Sequence, residues 1–343
     1  MAILTRILSD LPWEQMLAQN SQEELSLMYE RMGIADAWKI SMQEPAKFLE
    51  EYLLERPEIV PRMLSEEEFD LLLLIWDGHP MPDTGDISRR NFKSLEKFGF
   101  LRYDHKEKTV QINEEAKHNF YFSFKGRAIQ KQKEMYQEME YTVKGILYFY
   151  GMIDLTEMYD IIKAQYDISF SMFWSFLTGR MELWSFLGIL KNTQTDEYYA
   201  VSYEVRDRKK VFAGHMRREK QDYAALSVEE ANVLGKMSGI GRWEGTTQLL
   251  AYALETLYKE MMPATVFVKT ILIYIQNGDS LDVVKEKIDS KINDFSQEER
   301  EMVLDCIEDM YRYTPIYHLK GHNRYELEER TNRFSVIEGG RKD

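Results

Sequence analysis

The sequence is nearly without cysteine: Cys306 stands alone among 343 residues. One thiol excludes an intramolecular disulfide framework and any thiolate-rich zinc or iron–sulfur centre. Long apolar runs are missing as well. The longest unbroken aliphatic or aromatic stretch near the N-terminus is Leu71 to Trp76, far below the roughly 20 residues a membrane span needs. Ile168 to Gly179 is uncharged but holds three serines and a threonine, and Pro263 to Ile275 is broken by Lys269. Residues Met1 to Asp10 lack the basic region, apolar stretch and cleavage site of a signal peptide. These absences lead to the expectation of a cytoplasmic protein with no membrane partner. Positive charge is also in deficit. The 44 Lys and Arg against 58 Asp and Glu leave a net charge of -14, so the whole molecule is not a polycation that coats nucleic acid.

What the chain does have is apolar material, 44% of its residues. That is enough to bury real cores and excludes wholesale disorder. The length suggests two or three domains of roughly 100–200 residues each.

Apolar residues recur mostly at helical spacing, and turn signals divide them. Ser21…Glu24, Ser65…Glu68 and Ser227…Glu230 are capping boxes, each opening a helix. Pro57 and Pro61 mark a boundary near residue 60. After the helix through Leu71–Trp76, residues Ile87 to Phe98 read as a second helix that ends at Gly99. Two short alternating runs follow, Phe100–Tyr103 and Thr109–Ile112, around a charged turn, which predicts a hairpin. Helix, helix, hairpin is the order of a winged-helix unit. The order recurs: Val143–Tyr150, a helix capped by Asp154, an aromatic stretch Phe170–Leu187, then runs Leu187–Lys191 and Tyr198–Ser202. Phe98-Gly-Phe-Leu-Arg102 and Leu187-Gly-Ile-Leu-Lys191 match in residue type at the two helix-to-strand junctions. A charged helix over Asn113–Glu140 is expected to join the units. Helices around Thr246–Glu260, Ala264–Gln276, Leu281–Ile292 and Gln297–Tyr313 complete the chain. The expected fold is mainly α with small β wings: an N-terminal helical module (1–60), two winged-helix-like units (61–140 and 141–225), a helical bundle (226–330) and a disordered tail (331–343).

Ser21 to Ile34, a capped helix ending Arg-Met-Gly-Ile, resembles the helix-extension-helix module at the N-terminus of the Rho transcription terminator and in SAP-like modules. Tyr313-Thr-Pro-Ile-Tyr-His-Leu-Lys-Gly-His-Asn-Arg-Tyr-Glu-Leu327 is similar to a segment that precedes the SEC-C zinc motif in uncharacterised bacterial proteins. No cysteine or histidine follows His322, so the zinc motif itself is missing. The resemblance implies a soluble bacterial protein and no zinc site.

Candidate chemistry is sparse. His318 and His322 sit four apart, a spacing that pairs zinc ligands on a helix, but Pro315 and Gly321 break the helix. Gly235-Lys-Met-Ser-Gly-Ile-Gly241 holds glycines and a lysine without the phosphate-loop order or a preceding strand, and reads as a link. Cys306 lies among Val303, Leu304, Ile307 and Met310 and reads as core. No metal, cofactor or catalytic set is expected. The helix in the reader position carries Arg89, Arg90, Lys93 and Lys97, and the wing adds Arg102, Lys106 and Lys108. Such donors reach phosphates and base edges, so duplex DNA is one expected partner. Arg206 to Lys220 is a second basic stretch. The second unit's equivalent region offers one base, Arg180, among Phe173, Trp174, Phe176, Trp184 and Phe186. It cannot read DNA and is expected to be buried on more than one side, covered by helices around Leu249–Tyr258 and Val266–Tyr274 or by a second copy. The leading expectation is a non-enzymatic interaction protein using its winged-helix-like units, with a protein partner or self-association. The alternative is a DNA-binding regulator using the Arg89–Lys97 helix.

Overall fold

The computed structural model describes residues 5–34, 44–79, 92–104, 106–181, 187–193 and 195–329. Helices dominate them, and two small three-stranded sheets complete the fold, as the periodicity predicts. No described helix is long and apolar enough to cross a membrane. The chain packs as two compact bodies, Met1–Glu138 with Ile168–Trp184, and Met139–Asp167 with Ser185–Asp343. The border expected near 140 falls close to the Glu138–Met139 junction of this division, whereas those near 60 and 225 have no counterpart in it. Residues from Trp13 to Ile129 share one core, so the N-terminal module and the first unit are a single packed body.

In that body strand β1 (Thr5–Ser9) precedes α1 (Trp13–Leu17), α2 (Gln22–Met32), α3 (Pro45–Glu55), α4 (Val60–Met63) and α5 (Glu66–Asp77). Helix α6 (Lys93–Lys97), β2 (Leu101–Asp104), β3 (Thr109–Asn113) and α7 (Glu114–Lys125) follow. Ser21 and Ser65 close the capping boxes of α2 and α5 as their spacing requires. Strands β2 and β3 form the expected antiparallel hairpin, with Leu101 opposite Ile112 and Tyr103 opposite Val110. All four are buried while Arg102 and Asp104 face out, the alternation of a half-buried sheet. The third strand is β1, parallel to β3 with Thr5 opposite Thr109 and Ser9 opposite Asn113. The sequence reading missed it, because five residues containing an arginine carry little strand signal. Arg6 instead bonds the carbonyls of Ile75 and Gly78 at the end of α5, where a cation suits the helix dipole. Trp13 anchors the core. Its indole donates to the Phe98 carbonyl at 2.8 Å and meets Phe120 edge-on at 5.0 Å.

The single linking helix expected over Asn113–Glu140 is two helices. The Asn113 side chain caps α7 by accepting from Ala116 N, and α7 ends at Gly126. Helix α8 (Arg127–Tyr150) then absorbs the expected helix at Val143–Tyr150. Its first half belongs to the first body and its second half to the second.

The chain continues with β4 (Met152–Asp154), α9 (Leu155–Lys163), α10 (Phe170–Phe176), β5 (Leu187–Lys191) and β6 (Tyr198–Ser202). Then come α11 (Arg208–Arg217), α12 (Val228–Lys236), α13 (Thr246–Tyr252), α14 (Met261–Gln276), α15 (Leu281–Ile292) and α16 (Gln297–Tyr313). Asp154 caps α9 through Thr156 N and Glu157 N, as expected. The second sheet runs β4-β6-β5, antiparallel throughout. The matched pentapeptides prove not to be equivalent. Gly99 has φ 65 and precedes its strand, whereas Gly188 lies inside β5 opposite Val201.

Helix α10 leaves the second body and packs in the first. Phe173, Phe176 and Leu177 are fully buried. Phe176 stacks on Tyr136 at 5.9 Å, and Ser175 Oγ donates to the Arg31 carbonyl. The cover for this aromatic helix is therefore α2, α4 and the first half of α8, not the C-terminal helices expected from the sequence. Trp174 is half-buried and Phe170 exposed; Trp184 and Phe186 lie outside the described residues.

Candidate functional site

Of the bases expected to face nucleic acid, Arg89 and Arg90 lie outside the described residues. Lys93 and Lys97 of α6 and Arg102 of β2 do converge, on a polar hollow of about 280 Å³ that Gln19, Glu24 and Glu96 also line. The convergence is partly neutralised. Lys97 Nζ stands 3.8 Å from Glu24 Oε1, and Arg102 donates to the Gln19 side chain. Burial pulls the Lys97 ammonium below the ordinary lysine range, and Glu24 opposes that pull. The Glu24 carboxyl is itself held low, chiefly by the backbone N–H of Ser21. Asn20 Nδ2 donates to the Lys97 carbonyl at 3.0 Å, so the α1–α2 connection covers the end of α6. Lys106 and Lys108 are exposed on the hairpin turn, where Lys108 takes the left-handed conformation at φ 53.

The other residues singled out by sequence have structural tasks. Arg180 is fully buried and donates to the Pro61 carbonyl at 3.2 Å. In the basic stretch, Arg206 pairs with Asp279 at 2.8 Å and Lys210 reaches the Asn277 carbonyl at 3.3 Å, tying α11 to the C-terminus of α14. His322 bonds Glu326 at 2.8 Å and the Asp222 carbonyl at 3.1 Å. Cys306 is buried, and burial pushes its thiol up. The glycine-rich stretch is a packing device. Gly235 lies in α12, where a methyl would sit 1.9 Å from the Tyr141 carbonyl oxygen. One at Gly145 would sit 1.7 Å from the Ala231 carbonyl oxygen. Helices α8 and α12 cross so closely that neither glycine tolerates a side chain.

That crossing leaves a cleft of about 410 Å³ beside α12, which sequence reasoning missed. Phe149, Leu226, Val233, Met237 and Trp243 make it mainly apolar, with Glu229 and Arg242 among its lining. Ala231 and Leu234 point α12 into the core, yet Val233 and Met237 stay 41% and 36% exposed. Two apolar side chains one turn apart, off the buried stripe, were the signal available in the sequence. Glu229 sits on the first turn of α12 and Arg242 lies beyond its last. No family model, curated protein or solved structure matches the chain. Chemistry is therefore read from the two sites alone. Among the described residues no three His, Cys, Asp or Glu are grouped to hold a metal. The cleft's volume lies within the roughly 300–1,000 Å³ of ligand pockets. Its lining offers apolar contact, one cation, Arg242, and two carboxylates, Glu229 and Glu230.

Proposed function

We propose that this chain is a non-enzymatic binding protein whose second body takes a short apolar peptide segment into the cleft beside α12. The observation that carries this reading is the convergence of Val233, Met237 and Trp243 on one concave, largely apolar surface with Arg242 in its wall. Aromatic residues, methionine and arginine are the types enriched where proteins meet, and methionine adapts its shape to what it binds. The test uses anilinonaphthalene sulfonate, whose rings and anion suit an apolar wall with one arginine. Titrated onto the full chain, the dye fills a saturable site that Val233→Asp removes while the thermal transition stays in place. Equal dye binding by the two proteins would overturn the reading.

Duplex DNA is the second reading, supported by Lys93, Lys97 and Arg102 around one hollow with Lys106 and Lys108 on the adjoining turn. It ranks second because Glu24 and Glu96 share that hollow. Replacing Lys93, Arg102 and Lys106 together by Glu would flatten the log-affinity against log-salt slope by about 3. Absence of duplex binding by the wild-type chain at low salt would end this reading.

A further inference from the structure

Strand β1 ends its sheet. The strand order is β1-β3-β2, so among the described residues no strand pairs with the outer side of Thr5–Ser9. We infer that this edge is a self-association surface: β1 pairs antiparallel with β1 of a second copy of the chain, about a two-fold axis at Ile7. The inference is independent of the cleft in the second body.

Backbone geometry supports it first. Thr5 N donates to the Lys108 carbonyl at 3.0 Å, and the register sets Thr5 opposite Thr109. Bonding direction alternates along a strand, so Thr5, Ile7 and Ser9 bond β3 while the N–H and C=O groups of Arg6 and Leu8 point away from the sheet. In an antiparallel pair, opposed residues exchange both bonds at alternate positions. With Ile7 on the axis, Arg6 meets Leu8 of the second copy and Leu8 meets its Arg6, so every outward group finds a partner. Such self-matching is what a two-fold contact requires. Charge does not oppose it. Edge strands are commonly guarded by charge, proline or a bulge. The one charge in Thr5–Ser9 is Arg6, already bonded to the Ile75 and Gly78 carbonyls. Side chains come third. Leu8 lies opposite Ile112, which is buried, yet is itself 55% exposed, because the core layer stops at β1. Leu8 and Phe122, 82% exposed, line a hollow of about 590 Å³ at this border. On the other face Ile7 is 45% exposed. Pairing sets the two Ile7 side chains opposite each other at the closer, non-hydrogen-bonded position and brings the two Leu8 side chains into diagonal reach. The hollow carries both signs of charge, Glu114 and Glu115 with Lys117, and so suits a copy of itself. Two three-stranded sheets then become one of six strands, an ordinary size. The contact is small and belongs with interfaces that dissociate on dilution.

Sedimentation equilibrium of the full chain is expected to show monomer at high dilution and dimer as concentration rises. Ile7→Lys sets like charges opposite each other across the axis and is expected to weaken dimerisation at least about tenfold, with the thermal transition in place. Cysteine cross-linking with diamide reads the register, and wild type, whose Cys306 is buried, gives the background. Across the axis the two Ile7 positions lie within disulfide reach, whereas the two Thr5 positions stand about 14 Å apart, four residues at roughly 3.4 Å each. Ile7→Cys is therefore expected to give covalent dimer and Thr5→Cys only background, while Thr5→Cys combined with Ser9→Cys restores the dimer. Wild type that stays monomeric up to about 1 mM ends the inference and leaves the cleft reading intact. Dimerisation of Ile7→Lys equal to wild type overturns it, as does cross-linking of Thr5→Cys as fast as Ile7→Cys. Should Ile7→Lys shift the thermal transition, the cysteine comparison decides alone.

Discussion

The two small sheets of this protein are built from the same hairpin yet completed differently. In the second body β4 follows directly on α8 and pairs antiparallel to β6. In the first body the corresponding edge is filled by β1, from the far end of the chain and parallel to β3. The helices that precede the hairpins differ more sharply. Short α6 keeps Lys93 exposed beside a polar hollow. Helix α10 buries Phe173 and Phe176 completely, in the other body's core. One element order thus serves two physical ends. A helix with alternate charges stays at a surface, whereas a helix apolar around most of its girth is drawn to whichever core has room for it.

The hardest way to break the comparison is to attack the α8–α12 crossing. Gly145→Val would drive its side chain into the Ala231 carbonyl and is expected to prevent the second body from folding. Its cost exceeds the roughly 1–3 kcal/mol of ordinary overpacking. Hydrogen exchange would show fast exchange in β6 and α14 while Phe69 and Leu72 in the first body keep their protection. Uniform loss of protection in both bodies would show that they do not fold separately. A smaller perturbation sharpens the contrast between the preceding helices. Phe176→Ala is expected to destabilise the first body by about 3–5 kcal/mol, whereas Lys93→Ala, on the solvent side of α6, stays within about 0.5 kcal/mol. Denaturant unfolding of the two variants decides it, and similar costs would erase the distinction.

Acidity separates the bodies in opposite directions. In the first, burial pushes the Glu68 carboxyl up to about 7 against hydrogen bonds from Ser94 and Ser65. The folded state there holds a proton that the unfolded chain has released, so this stability is complete below about 4.5 and fades as pH rises through about 7. In the second body, burial takes His215 down to about 4, with its ring bonded to the Tyr317 carbonyl. That stability is present above about 6.5 and is lost as pH falls toward about 4. Each shift corresponds to about 3 kcal/mol. Hydrogen exchange across this range should therefore show the first body loosening on the alkaline side and the second on the acid side. Glu68→Gln and His215→Gln should each flatten one limb, and a limb that survives its substitution would reject that assignment.

Local chemistry was legible in the sequence wherever one short segment decided the outcome. Ser21, Ser65 and Ser227 cap their helices, and Asp154 caps α9, because capping needs only a few neighbouring residues. The β2–β3 and β5–β6 hairpins were legible for the same reason. Strand β1 was not, since its partner Thr109 lies far along the chain and nothing in Thr5–Ser9 names it. The site residues divided likewise. Lys93, Lys97 and Arg102 meet because they flank one tight helix-to-strand turn. The Glu24 carboxylate that pairs with Lys97 and the Gln19 amide that accepts from Arg102 come from a remote helix and connection. The apolar cleft depends on how Gly145 and Gly235 let two helices touch, which no spacing within either helix reveals.

The division of the first body between two stretches of chain sets an order in time. Domains ordinarily finish folding as they emerge from synthesis, the N-terminal one first. Here the N-terminal body lacks Phe173, Phe176 and Arg180 until Ile168–Trp184 has been made. By then the whole of α8, β4 and α9 already exists. The opening half of this protein thus waits, with an unfilled aromatic slot beside Tyr136 and Met63, for a piece of the later half to close it.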